Sequence, residues 1–165
     1  MIDLLQKLLA TTLFRMGPQD LPPGPSVMLT CLVLYVLIAG LSLISPEPAP
    51  NTALVMLMAV AVPLVVSRII LLAAGKLARW QQTVAALFGT SALLSAVSLP
   101  FGWAAGDQAS TVNGLILVAI FFWSLAVNGH IWRHALEVSF AGGLAISVLS
   151  FAATLFAVNA VTGSL

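Results

Sequence analysis

Residues 80–103 read WQQTVAALFGTSALLSAVSLPFGW, a stretch without a single charged residue that opens and closes on tryptophan. Trp80 and Trp103 lie 23 positions apart, which at about 1.5 Å per residue is about 34 Å of helix. The hydrocarbon core of a bilayer is about 30 Å thick, and tryptophan favours the two water interfaces. The stretch therefore predicts one membrane crossing over 82–103. Four further windows of the required length and apolarity flank it, at about 27–44, 53–74, 112–129 and 138–160. Pro22-Pro23-Gly24-Pro25 precedes the first, Ser45-Pro46-Glu47-Pro48 follows it, and Asn51-Thr52 caps the second. The boundary between the last two is a polar break, Asn128-Gly129-His130. A four-helix arrangement with one re-entrant segment is the alternative. The expected fold class is thus all-α, a polytopic bundle of five transmembrane helices.

Composition agrees. Of 165 residues, 61% are apolar and 7% charged, with a mean hydropathy of +1.11. An average soluble domain is about 45–50% apolar and about 25% charged. A soluble enzyme, a nucleic-acid binder and a disordered linker are all excluded, because nothing covers the surface such a globule would show to water.

Orientation follows from the cations. With five crossings and the N-terminus inside, Lys7, Arg15, Arg68, Lys76, Arg79 and Arg133 all fall on the inner side, and only Glu47 and Asp107 mark the outer loops. Cytoplasmic loops carry the excess of Lys and Arg. The expected location is a bacterial inner membrane, with the N-terminus cytoplasmic and the C-terminus external. Residues 1–25 form a cytoplasmic segment in which Leu5, Leu8, Leu9, Leu13 and Met16 recur at helical spacing. Such a helix lies on the inner leaflet or packs on the bundle, and Asp3 and Lys7 support it as an i,i+4 pair. Cys31 is alone, so neither a disulfide nor a cysteine metal cluster is expected.

Small residues let helices approach in lipid. Ser91, Ser95, Ser98 and Gly102 repeat at 4-3-4 spacing, and Ser139, Gly143, Ser147, Ser150 and Thr154 share a second face. These stripes read as helix-packing seams, with the lining of a substrate path as the sharper alternative. Pro63 and Pro100 are expected to bend their helices.

The densest polar cluster runs from His130 to Glu137. On a continuous helix His130, His134 and Glu137 return to one face, where two imidazoles and a carboxylate suit a transition metal or a proton relay. The simpler expectation is interfacial hydrogen bonding with no metal and no cofactor. Arg68, Lys76, Arg79 and Arg133 are expected to meet lipid headgroups, anionic ones included, with Glu137 as a candidate partner for Arg68. No aspartate pair within the spans, Gly-x-Ser-x-Gly elbow, Cys-x-x-Cys or nucleotide-binding loop is present.

The plan resembles the Ypt-interacting-protein (YIP) family of five-helix membrane proteins and the small bacterial inner-membrane proteins grouped with it. Asp20-Leu21-Pro22-Pro23-Gly24-Pro25 is similar to the Asp-Leu-Tyr-Gly-Pro motif of that family, without its tyrosine and with one residue more. The resemblance implies a cytoplasmic N-terminal segment, five spans and no catalytic residues. The expected function is a non-enzymatic membrane protein that organises partner proteins or lipids at the cytoplasmic face, with a membrane-protein partner or a second copy as candidate partners and no nucleic acid. A small transporter or permease subunit is one alternative. A metal- or proton-dependent membrane enzyme using His130, His134 and Glu137 is the other.

Overall fold

The computed structural model describes residues 2–42, 51–104 and 111–163. Six α-helices follow in order: α1 (Ile2–Thr12), α2 (Pro25–Ser42), α3 (Thr52–Ala73), α4 (Trp80–Ala104), α5 (Thr111–Leu136) and α6 (Phe140–Thr162). Short 3-10 turns at Pro18–Asp20 and Leu77–Arg79 lead into α2 and α4, and no strand occurs among the described residues. Four helical stretches, Thr52–Ala73, Leu77–Trp103, Thr111–Leu136 and Phe140–Thr162, are long and apolar enough to cross a membrane. The predicted first span is apolar but shorter over its described residues, Pro25–Leu41. Its predicted end at 44, the break at 45–48, Glu47 and Asp107 lie outside the described residues.

Local chemistry sets the helix ends. Pro25 opens α2, where its missing N–H has no intrahelical partner to lose. Gly75, at φ +68°, ends α3 in a left-handed turn whose amide and the next one return to Leu72 and Leu71. The same device ends α1 at Phe14 and α5 at Glu137, with φ of +61° and +59°. Neither is glycine, so each holds a conformation that costs an L-residue about 1–2 kcal/mol. Tertiary contacts fix both, as described below.

The expected break at Asn128-Gly129-His130 does not end a helix. α5 continues without interruption to Leu136. Gly129 is buried there against the backbone of Leu144 in α6, and His130 is buried against the N-terminal segment. The polar residues have partners inside the bundle and have no need of a loop. Pro63 and Pro100 lie within α3 and α4.

Five helices, α2 to α6, stand around a common centre in the order α2, α4, α5, α6, α3, and α2 and α3 touch least. The α5–α6 crossing is the tightest. A Cβ on Gly143 would fall on the Gly129 carbonyl oxygen and lie 2.8 Å from the Arg133 nitrogen. α1 packs on the bundle: Leu8, Thr11 and Thr12 are buried, with Leu8 seated against Gly89 of α4 and beside Cys31 of α2. A neighbouring stripe of α1, Ile2, Leu5 and Leu9, stays exposed, as does Leu13 in the turn that follows. The Asp3–Lys7 pair forms, at 3.4 Å.

Candidate functional site

Two polar regions stand out. The first gathers at the end of the bundle where the α3–α4 and α5–α6 connections meet. The left-handed turn at Glu137 aims its carboxylate at Lys76 Nζ and Arg79 Nη2, each 2.6 Å away. Lys76 Nζ also donates to the Leu136 carbonyl, and Arg79 Nη1 to the Ala135 carbonyl. Two cations from one connection therefore complete the carbonyl end of α5, where positive charge is favoured. Hydrogen bonds from both cations hold the Glu137 carboxyl at about 2, well below its usual range.

This arrangement corrects two expectations. Glu137 does not share a face with His130 and His134, because α5 stops at Leu136 and the left-handed turn carries the carboxylate to α3 and α4. No group of three His, Cys, Asp or Glu side chains suited to a metal occurs among the described residues. Nor does Glu137 pair with Arg68. The Arg68 guanidinium instead lies over the Trp80 ring, 5.1 Å from its centroid, and the Trp80 Nε1–H donates to Ser67 Oγ. Arg133 is exposed, and its backbone forms part of the α5–α6 crossing.

The N-terminal segment is tied to this same end. His130 Nε2 lies 3.0 Å from the Met16 carbonyl, and its ring meets Phe14 and His134 edge-on. Trp123 Nε1–H donates to the Thr12 carbonyl and Gln82 Nε2 to the Leu21 carbonyl. Asp20 accepts the Gly17 amide, closing the turn before buried Leu21. Phe14 thus gains its contacts with Trp123 and His130 by adopting the left-handed conformation.

The second region is a cavity of about 290 Å³ in the centre of the ring, walled by all five helices. Tyr35 (α2), Pro63 (α3), Phe88 and Ser91 (α4) line one side. Ser124, Asn128 and Trp132 of α5 with Ser147, Ser150 and Thr154 of α6 line the other. A second cavity of about 320 Å³ shares Tyr35, Ser91, Phe121 and Ser124 with it and continues past Ser95 and Ser98. Together they form one cleft of two chambers joined at those four shared residues.

The hydroxyls of the wall are used unequally. Ser124 Oγ–H donates to the Phe121 carbonyl, Ser147 Oγ–H to the Leu125 carbonyl and Thr154 Oγ1–H to the Ser150 carbonyl. The Ser147 bond joins α6 to α5. Ser150 Oγ is buried and has no partner among the described residues. Among the described residues, no Lys, Arg, Asp, Glu or His lines either chamber.

The two small-residue stripes are therefore placed as follows. Ser91, Ser95 and Ser98 face the cleft, and so do Ser147, Ser150 and Thr154. Gly143 sits at the tight crossing, while Ser139 caps α6 by accepting the Gly142 amide. Gly102 is exposed, with open space where a Cβ would stand. Sequence reasoning missed Gly89, Gly129, Tyr35 and Phe121. Gly129 carried a usable signal: it lies 14 positions before Gly143 across a short connection, where a hairpin brings two glycines level. No protein-family model, curated protein or solved structure matches the chain.

Proposed function

We propose that this chain is a multi-pass membrane protein that holds a small ligand in the cleft between its helices, as a small carrier or permease component does. The observation that carries the reading is Ser150 Oγ, buried without a partner among the described residues in the wall of a cavity that also presents Ser91, Ser124 and Asn128. A polar group in hydrocarbon costs free energy unless it is hydrogen-bonded. A serine that only packs a helix seam would give its proton to a carbonyl of its own or a neighbouring helix. Ligand sites are concave, mostly apolar and furnished with a few convergent polar groups, usually over about 300–1,000 Å³. The two chambers together fall in that range.

The alternative of organising partners through a basic face has less support, because Lys76 and Arg79 are engaged with Glu137 and the end of α5. Exposed Arg68 and Arg133 remain the residues through which anionic headgroups would be met. The stretch from Asp20 to Pro25, which carries the YIP-family resemblance, contributes no residue to the cavity wall. Five crossings with the basic end cytoplasmic is the topology proposed with this function.

The test is photolabelling of the full chain in lipid nanodiscs with octanol carrying a diazirine, followed by peptide mapping. Saturable labelling of Tyr35 and Phe88 above outward-facing Leu149 and Phe156 is expected. Labelling confined to Leu149 and Phe156, or labelling that never saturates, would refute the proposal.

A further inference from the structure

The way the wall's hydroxyls are bonded restricts what the cleft accepts. A serine or threonine hydroxyl has one proton and two lone pairs. On a helix that proton commonly goes to the carbonyl three or four residues back. Ser124 and Thr154 follow this pattern, and Ser147 gives its proton to α5 instead. All three then face the cavity as acceptors. Ser150 keeps its proton, and the Asn128 amide carries both donors and an acceptor. Beside them stand the aromatic side chains Tyr35, Phe88, Phe121, Phe151 and Trp132. Among the described residues the lining holds no ionisable group besides the Tyr35 phenol, so a charged ligand would find no counter-ion there in a low-dielectric interior.

From this pattern we infer that the cleft selects a neutral amphiphile bearing a hydroxyl or primary amide, whose N–H or O–H donates to the wall. The inference rests on the ligand-binding reading above and gives its chemical class. A ligand hydroxyl gives its one proton to the oxygen of Ser124, its own oxygen accepts from Ser150 or Asn128, and its apolar portion lies against the aromatic side chains. An ether of the same size accepts but cannot donate. It leaves the Ser124 acceptor facing hydrocarbon. A quaternary ammonium has neither function, and only the ring faces would hold it.

Competition against the diazirine photolabel separates these classes. The competitors are octanol, octyl methyl ether and octyltrimethylammonium, each titrated against the full chain in nanodiscs. Octanol is expected to displace the label about fivefold to tenfold more effectively than the ether, the loss of one donated hydrogen bond, and the cation least well. Ser124→Ala removes an acceptor while sparing the helix contacts, and it should bring the octanol-to-ether ratio close to one. Equal potency of octanol and ether in the unaltered chain would overturn the donor inference and leave the ligand site standing. Strongest displacement by the cation would overturn neutrality. Failure of all three to displace the label would overturn the site itself.

Discussion

The basic end of the bundle and its central cleft treat polar groups in opposite ways. At the basic end polar groups are matched within the chain: Glu137 holds two cations, those cations hold the last carbonyls of α5, and His130 reaches the Met16 carbonyl. Two residues accept left-handed backbone to make these contacts. In the cleft, four of the five helices bring hydroxyls together and leave one buried without a partner among the described residues. One region uses polarity to fix the chain on itself. The other keeps hydrogen-bonding capacity facing inward, which is what a binding site requires and a packing seam does not.

The largest loss is expected at the tight crossing of α5 and α6. Gly143→Ala places a methyl against the backbone of Gly129 and Arg133, atoms that cannot swing aside. It should destabilise the bundle by about 3 kcal/mol or more, read as a large fall in melting temperature or loss of folded protein. Gly102→Ala, in open space, should change nothing measurable. At the basic end, His130→Ala removes the bond to Met16 and the ring contacts with Phe14 and His134. A loss of about 1–2 kcal/mol is expected, with faster amide exchange confined to the N-terminal segment. Uniform exchange across the chain would show that the segment is not held there.

Two neighbouring serines sharpen the contrast. Ser147→Ala deletes a bond between α6 and α5, and should cost about 1 kcal/mol. Ser150→Ala deletes a hydroxyl with no partner among the described residues, and should leave the melting temperature unchanged or slightly raised. Equal losses at both positions would mean that Ser150 is a structural serine. The smallest effect is that of pH on Glu137, which is exposed. Its carboxyl titrates near 4.5 in the unfolded chain and at about 2 in the folded one. The stabilisation is therefore complete above about pH 4.5 and is lost as pH falls toward 2. Melting temperature should fall less steeply over that window in Glu137→Gln than in the unaltered chain.

Hydropathy made the long helices legible, and the stretch between Trp80 and Trp103 lies wholly within α4, as expected. Three features escaped because they depend on what a residue meets rather than on what it is. Asn128-Gly129-His130 reads as a loop signal, yet Gly129 lies against α6 and His130 against the N-terminal segment, so the helix continues. Glu137 reads as the next residue on the face of His130 and His134, until a left-handed turn aims it at Lys76 and Arg79. The serine stripes were visible from their spacing. A hydroxyl facing a neighbouring helix and one facing a cavity have the same spacing, so only the position of α2 and α3 opposite them separates seam from wall.

The most direct test of the cleft compares two positions of α5 that are almost adjacent in sequence. Ser124 lines both chambers, whereas Phe122 is 63% exposed and lines neither. On a Cys31→Ala background, Ser124→Cys and Phe122→Cys would each be reacted with methyl methanethiosulfonate in nanodiscs, with and without octanol. The ligand-site account predicts that the thiol at 124 reacts and is protected by octanol in a saturable manner, while the thiol at 122 shows no protection. Equal protection at both positions, or none at 124, would contradict it.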